Sequence, residues 1–520
     1  MPLPRSRANW SELLDLSVDP AGGPPIFQQV YLALRGAILA GTLRPGAKLP
    51  SSRQLAQRLA LSRTSVIAAY EQLLAEGYVA SRAGSGTYVS ADLQTQAQPA
   101  ARVRRPARSP AVRRVRLSAA GARYEALGRD LSIAPAVPFT AGCCSVDAKT
   151  IGAWRRVTAA RARVFEQTSL AYADPAGETA LRREAAAYLR ASRGVQCDDD
   201  QVIVLSGAQQ AIDLSIRVLL NAGDGAWVED PGYVPTREAL LSAGVACVPV
   251  PVDAHGLDVA AGIACAPRAR AVYITPSHQY PTGAAMSMAR RQELLAWAAK
   301  TGAWIVEDDY DSEFRYAGRP LAALQGLDPA GSVIYIATLS KVLFPGLRLG
   351  FAVVPRSLID AFRGARYLAD RSPPAFLQAI AADFMQQGFL TSHIRRMRQR
   401  YRQARDVLVA CLERHLGDIA DVEVPECGMQ LLLRFRAPVS DIAVAEAART
   451  AGIVVKPVSP HYMAAPVRQG LVLGLSGFDD RQLKAAGTRL AAIVRSELAC
   501  AERGTARPAP GPGQSGMLRR

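Results

Sequence analysis

The chain has 520 residues, 49% of them hydrophobic, and a formal net charge of +17. That length calls for two or more cores, and the charge points to an anionic partner, nucleic acid or a membrane surface. No apolar run of about 20 residues and no secretory segment after Met1 is found, so neither a membrane association by a spanning helix nor export is expected. Eight cysteines without a C-x-x-C or a Cys/His metal spacing predict reduced thiols in a cytoplasm and no metal site.

A compact series of signals occupies residues 25–90. Ile26, Val30, Leu34 and Ile38 recur at helical spacing and predict a first helix ending near Gly41. After the turn Arg44-Pro-Gly46, Ser51 and Ser52 can cap a second helix from Arg53 to Ala60, and Ser62 can cap a third. Val66, Tyr70 and Leu73 line one face of that third helix, leaving Arg63, Thr64 and Ser65 at its exposed N-terminal end. Tyr78–Arg82 alternates as a strand, Ala83–Gly86 makes a tight turn, and Thr87–Val89 returns as a second strand. Three helices and a glycine-tipped hairpin make a winged helix, whose recognition helix meets base edges in the major groove. Gly84, Ser85, Gly86 and Thr87 would form the wing tip. A plain three-helix bundle with a basic end is the alternative. The run from Pro45 to Val89 resembles the GntR-type DNA-binding domain. That resemblance implies DNA contacts from Arg53, Arg63 and Thr64.

From Leu93 to Tyr124 there is no Asp or Glu, and eight arginines (Arg102, Arg104, Arg105, Arg108, Arg113, Arg114, Arg116 and Arg123) carry 8 of the 17 excess charges. The stretch buries too little apolar surface to offset its ordering entropy and reads as a linker. Its arginines are either solvated or in sequence-independent contact with phosphates. Arg503–Arg520 is low-complexity and reads as a disordered tail. The expected organisation is a DNA-binding domain over 24–92, a basic linker over 93–134, a large domain over 135–500 and a tail over 501–520.

In the large domain, the apolar runs Val202–Leu205, Ala226–Glu229, Ala271–Thr275, Trp304–Glu307 and Val333–Ala337 alternate with helical stretches such as Met288–Thr301. Such alternation predicts an α/β fold with a mostly parallel sheet. Ligands gather at the carboxyl ends of such strands, and three motifs lie there. Ser206-Gly-Ala-Gln209 follows a strand and opens a helix, aiming backbone N–H groups at an anion such as a phosphate ester. At the end of another strand, Asp308 and Tyr310 face one way and Asp309 the other. A buried carboxylate there can keep a pyridinium nitrogen protonated, and a phenol can hydrogen-bond a ring oxygen. Thr338-Leu-Ser-Lys341 follows a strand, with Arg348 seven residues later. A lysine set among apolar residues can form a Schiff base with an aldehyde, while Thr338 and Arg348 can reach a phosphate. Singly, these motifs also describe an ordinary strand-to-helix turn, a solvated acidic loop and a surface lysine. Together they describe a site for pyridoxal phosphate.

The block from Pro138 to Leu498 resembles the fold-type I aminotransferases. Through EDPGY, TPSHQYPTG, EDDYDSEFRY and TLSKVLFPGLRLG, the whole chain resembles the MocR branch of the GntR regulators. The resemblance implies that Lys341 is the Schiff-base lysine, Asp308 the pyridine partner, Tyr310 the phenol at the ring oxygen and Tyr233 the stacking aromatic. Ser206, Gly207, Ala208, Gln209, Thr338, Ser340 and Arg348 then fall around the phosphate, and Tyr172 comes from the other subunit of a head-to-tail homodimer. Double-stranded operator DNA and an amine, amino acid or B6 vitamer are the implied partners. The implied location is the cytoplasm, at the nucleoid when DNA is bound.

Two positions depart from working aminotransferases. Tyr280 stands before Pro281 where such enzymes carry an asparagine on the ring oxygen; the regulator branch shares this change, which favours a sensor over an enzyme. The arginine that clamps a substrate carboxylate has no counterpart in Gly470–Ser476, and Arg468 is expected outside that strand. A missing charge-assisted contact costs about 1.5–3 kcal/mol, which moves the expected effector toward pyridoxal phosphate itself. Two other readings compete: a working aminotransferase with an accessory DNA-binding domain, and a non-specific DNA-associated protein driven by the linker arginines.

Overall fold

The computed structural model describes residues 18–19, 23–82, 84–91, 116–130, 136–164, 171–316, 321–464 and 466–503, which fall into two units divided between Arg116 and Leu117. In the N-terminal unit, α1 (Ile26–Leu39) buries Val30, Tyr31, Leu34 and Ile38 on one face. Ser51 opens α2 (Ser52–Arg58) with a capping box: its Oγ accepts the Gln54 N–H at 3.2 Å, and Gln54 Oε1 accepts the Ser51 N–H at 3.0 Å. The helix stops short of the expected Ala60, which adopts a left-handed φ of 53° and so cannot continue it. Ser62 caps α3 (Arg63–Ala75), whose Val66, Ala69, Tyr70 and Leu73 are buried. The strands β1 (Val79–Arg82) and β2 (Gly86–Val89) pair antiparallel, and Val79 and Val89 close the helical core from below. That hairpin makes the unit a winged helix rather than a plain bundle.

In the C-terminal unit, Ala119–Asp130 is a helix, within the stretch read from composition as linker. Ser118 Oγ accepts the Gly121 N–H at 3.0 Å, and Glu125 pairs with Arg129 one turn on. The helix packs on a second one, Val234–Ser242, with Arg123 Nη1 at 3.6 Å from Glu238 Oε2. Average composition over the segment hid this short element. The remaining linker residues 93–115 and 131–134, and the tail beyond 503, lie outside the described residues.

The main sheet has eight strands: β3 (Val202–Leu205), β4 (Gly225–Asp230), β5 (Ala246–Asp253), β6 (Gly256–Leu257), β7 (Ala271–Ile274), β8 (Trp304–Asp309), β9 (Val333–Thr338) and β10 (Gly350–Val353). Their order is β3-β10-β9-β8-β7-β4-β5-β6. The run β9-β8-β7-β4-β5 is parallel, and β10 is antiparallel to both neighbours. Every residue of β9 is buried, as befits a strand covered on both faces. A second sheet, wholly antiparallel, has the order β11-β12-β14-β13, formed by Ala420–Glu423, Gln430–Phe435, Gly470–Gly474 and Lys456–Pro457 respectively. The long helices Phe389–Leu416 and Asp480–Glu502 share its core. No helix among the described residues is long and apolar enough to cross a membrane.

Candidate cofactor cavity and DNA-facing surface

The carboxyl ends of the central strands open into a cavity of about 200 Å³. β3 runs into Gly207, the N-cap of the helix Ala208–Leu219. Gly207 has φ +121°, and a β carbon there would sit 3.4 Å from the Arg348 guanidinium, so glycine keeps the helix end open to a ligand. The first N–H groups of a helix have no intrahelical acceptor, and here Ala208 and Gln209, which begin the helix, line the cavity. β9 ends in Thr338, whose hydroxyl accepts the Ser340 N–H at 3.1 Å and starts the short helix that carries Lys341. Lys341 Nζ lies over Gly142, where any β carbon would collide with it.

Strand alternation at the end of β8 sends Asp308 into the cavity and Asp309 to the opposite face. Arg193 Nε and the Tyr335 hydroxyl each donate to Asp309 Oδ2 at 2.6 Å. Asp308 Oδ1, by contrast, is shielded from solvent without a hydrogen-bond partner, as are Ser340 Oγ and the Tyr280 hydroxyl. Burial, with Asp309 and Asp311 nearby, raises the Asp308 carboxyl to about 7 against the lowering pull of Lys341. The Tyr310 hydroxyl lies 3.1 Å from His278 Nδ1, which also meets Asp311 Oδ1 at 2.8 Å, and Gln430 Nε2 donates to that phenol at 3.3 Å. Burial lifts Tyr310 well above the usual phenol range. Tyr233 stands at the start of the helix Val234–Ser242 and meets Tyr280 edge-on at 5.6 Å; burial, helped by Asp308, raises its phenol to about 12.

In the N-terminal unit, Arg53, Arg63 and Thr64 are exposed, and Ser65 is half-buried. Ser62 Oγ accepts the Ser65 N–H at 3.1 Å and lies 2.8 Å from the Ser65 hydroxyl, which fixes the start of α3. Arg63 Nε reaches Ser52 Oγ at 3.5 Å, tying that start to α2. At the wing tip, Gly84 and Gly86 take φ of +70° and +115°, with Ser85 between them and Thr87 entering β2. Ser85 and Tyr88 hydroxyls lie 2.6 Å apart, and Arg82 and Lys48 sit over the Tyr88 ring at 4.8 and 5.8 Å. The basic wing base of Lys48 and Arg82 was not anticipated from the sequence.

Residues 26–89 match the family "Bacterial regulatory proteins, gntR family", and residues 135–484 match "Aminotransferase class I and II". The chain is 39% identical over 472 residues to the probable rhizopine catabolism regulatory protein MocR of Rhizobium meliloti, spanning 90% of this chain and 94% of that one. The chain belongs to the MocR group of GntR-family transcriptional regulators. This MocR-type regulator is also 30% identical over 480 residues to the pyridoxine biosynthesis transcriptional regulator PdxR of Corynebacterium glutamicum, spanning 91% and 96% of the two chains. Among solved structures it is similar to a kynurenine aminotransferase of Pyrococcus horikoshii in complex with PMP, with 28% identity and a TM-score of 0.64 over 74% of this chain and 96% of that one.

The MocR-type fold brings Gly207, Ala208, Gln209, Tyr233, Tyr280, Asp308, Tyr310, Thr338, Ser340, Lys341 and Arg348 around one cavity. Ser206 is not in its lining, and the Ser206 N–H donates to Gln210 Oε1 at 2.8 Å. Tyr172 is 81% exposed and is not in the lining of the chain's own cavity; the Arg371 guanidinium lies 4.4 Å over its ring. Arg468 precedes β14 and lines a separate cleft with Arg434 and Tyr462. Gly142, Asp311, Met429, Gln430 and Lys456 also line the cavity. Sequence reasoning assigned none of them a role: Asp311 lies within EDDYDSEFRY without a stated part, and the others belong to no motif that names their chemistry.

Proposed function

We propose that this MocR-type regulator holds pyridoxal phosphate in the cavity, and that the cofactor, alone or with an amine or amino acid, sets its affinity for operator DNA. The supporting observation is the set of unpartnered polar atoms around Lys341. Asp308 Oδ1 lacks a donor and Ser340 Oγ lacks a partner, and the first N–H groups of the adjoining helix have no intrahelical acceptor. A ring nitrogen bearing a proton satisfies the first, and a phosphate satisfies the others. Asp308 would hold that proton, and the Ala208 and Gln209 N–H groups, Ser340, Thr338 and Arg348 would hold the phosphate. Tyr233 would cover the ring, Tyr310 would donate to its oxygen, and the Lys341 amine would meet the aldehyde. When bound, the cofactor supplies an aldehyde that condenses with amines, and an electron sink. Tyr172, exposed and outside the lining of its own cavity, would serve the partner's cavity in a head-to-tail homodimer. Arg53, Arg63, Thr64 and Ser65 would enter the major groove and the 84–87 wing the neighbouring backbone, on DNA at the nucleoid.

The test is the visible spectrum of the full chain with pyridoxal phosphate. A visible band that is lost in Lys341→Ala, with the fold intact, is the expected result. Persistence of the band in that variant would mean that another amine, or none, holds the cofactor.

A further inference from the structure

Opposite the strand ends, the cavity wall is built by the small antiparallel sheet, which contributes Met429 and Gln430 near the start of β12 and Lys456 on β13. Three cations therefore line one cavity: Lys341, Arg348 and Lys456. Two have work under the cofactor reading, Lys341 at the aldehyde and Arg348 at the phosphate. The acidic lining does not match the third. Asp311 is committed to His278 Nδ1 at 2.8 Å and to the Met429 N–H at 3.0 Å, and Asp308 is assigned to the ring nitrogen. Among the described residues no carboxylate acts on Lys456. The Lys456 side chain is exposed overall, while desolvation at its end and the nearby charge of Lys341 hold the ammonium below the usual lysine range. Lys456 stands directly across the β13–β14 pair from Val472, which is within the strand that lacks the arginine.

We propose that Lys456 is the carboxylate-binding residue of this cavity, so that the effector is an amino acid rather than a simple amine or the cofactor alone. This rests on the cofactor reading above. The absence of an arginine from Gly470–Ser476 had moved the expected effector away from amino acids; Lys456 supplies the missing positive charge from a neighbouring strand. An ammonium is a point charge without a guanidinium fork, so it reads the presence of the carboxylate more than its orientation.

The experiment titrates the cofactor-loaded full chain with L-alanine, β-alanine and 4-aminobutyrate. Each is paired with the amine that lacks its carboxylate: ethylamine for the first two and propylamine for the third. The reading is the concentration that half-shifts the visible band. At least one amino acid is expected to act at about 10- to 100-fold lower concentration than its paired amine, the range of a charge-assisted contact. Lys456→Ala should reduce that preference to about twofold, and Lys456→Arg should retain it, with the cofactor band unchanged in both. A preference that survives Lys456→Ala, or no preference for any amino acid in the wild type, overturns the proposal while leaving cofactor binding in place. No visible band in the wild type would overturn the cofactor reading and this proposal together.

Discussion

Replacing Asp308 by asparagine should strengthen the cofactor-free fold and weaken its hold on the cofactor. Asp308 Oδ1 has no hydrogen bond to lose, and burial raises the carboxyl from 3.8 to about 7. Between those pH values the folded protein keeps a proton that the unfolded chain releases. Stability therefore falls as pH rises through that window and stays low above it. At about 1.4 kcal/mol for each tenfold change in proton affinity, the charged carboxylate costs at most about 4 kcal/mol at pH 8. Water in the cavity screens part of that, and about 2 kcal/mol is the expected gain in Asp308→Asn. Urea unfolding of cofactor-free protein at pH 8 and pH 5 reads it directly. The variant should be more stable at pH 8, and the gain should shrink at pH 5, where wild-type Asp308 is already neutral. With pyridoxal phosphate the sign reverses, because losing the charge-assisted bond to the ring nitrogen weakens binding by about 10- to 150-fold. Equal or lower stability of the variant at pH 8 would refute the desolvated-carboxylate argument.

Other consequences are as specific. Arg63→Ala should weaken binding to a specific site by about 1–3 kcal/mol in gel shifts and leave the cofactor band untouched; unchanged affinity would remove Arg63 from the interface. Gly142→Ala puts a β carbon against Lys341 Nζ on a backbone with φ +81°. It should reduce the yield of the visible band severalfold while the wing and α3 still bind DNA, as measured by absorbance and gel shift on the same preparation.

What could be read from the sequence was local. Met288–Thr301 appears as a helix with those bounds because Ser287 caps it and Gly302, at φ +70°, ends it. The strand ends carrying Ser206–Gln209, Asp308–Tyr310 and Thr338–Lys341 were recognisable because each motif is contiguous and its strand is apolar. What escaped was assembled at long range. Gly142, Gln430 and Lys456 reach the cavity through an irregular segment and through the pairing of β12 and β13 with β14, and no spacing in the sequence announces that. Ala119–Asp130 was hidden by the arginine-rich composition around it.

The most direct test is the affinity of the full chain for a DNA site selected by that chain from a random pool, measured at fixed salt with and without pyridoxal phosphate, in wild type and Lys341→Ala. A cofactor-dependent change in affinity in the wild type that disappears in Lys341→Ala is the predicted result. Identical wild-type affinities with the cofactor demonstrably bound would contradict the claim that the aminotransferase-like unit controls DNA binding.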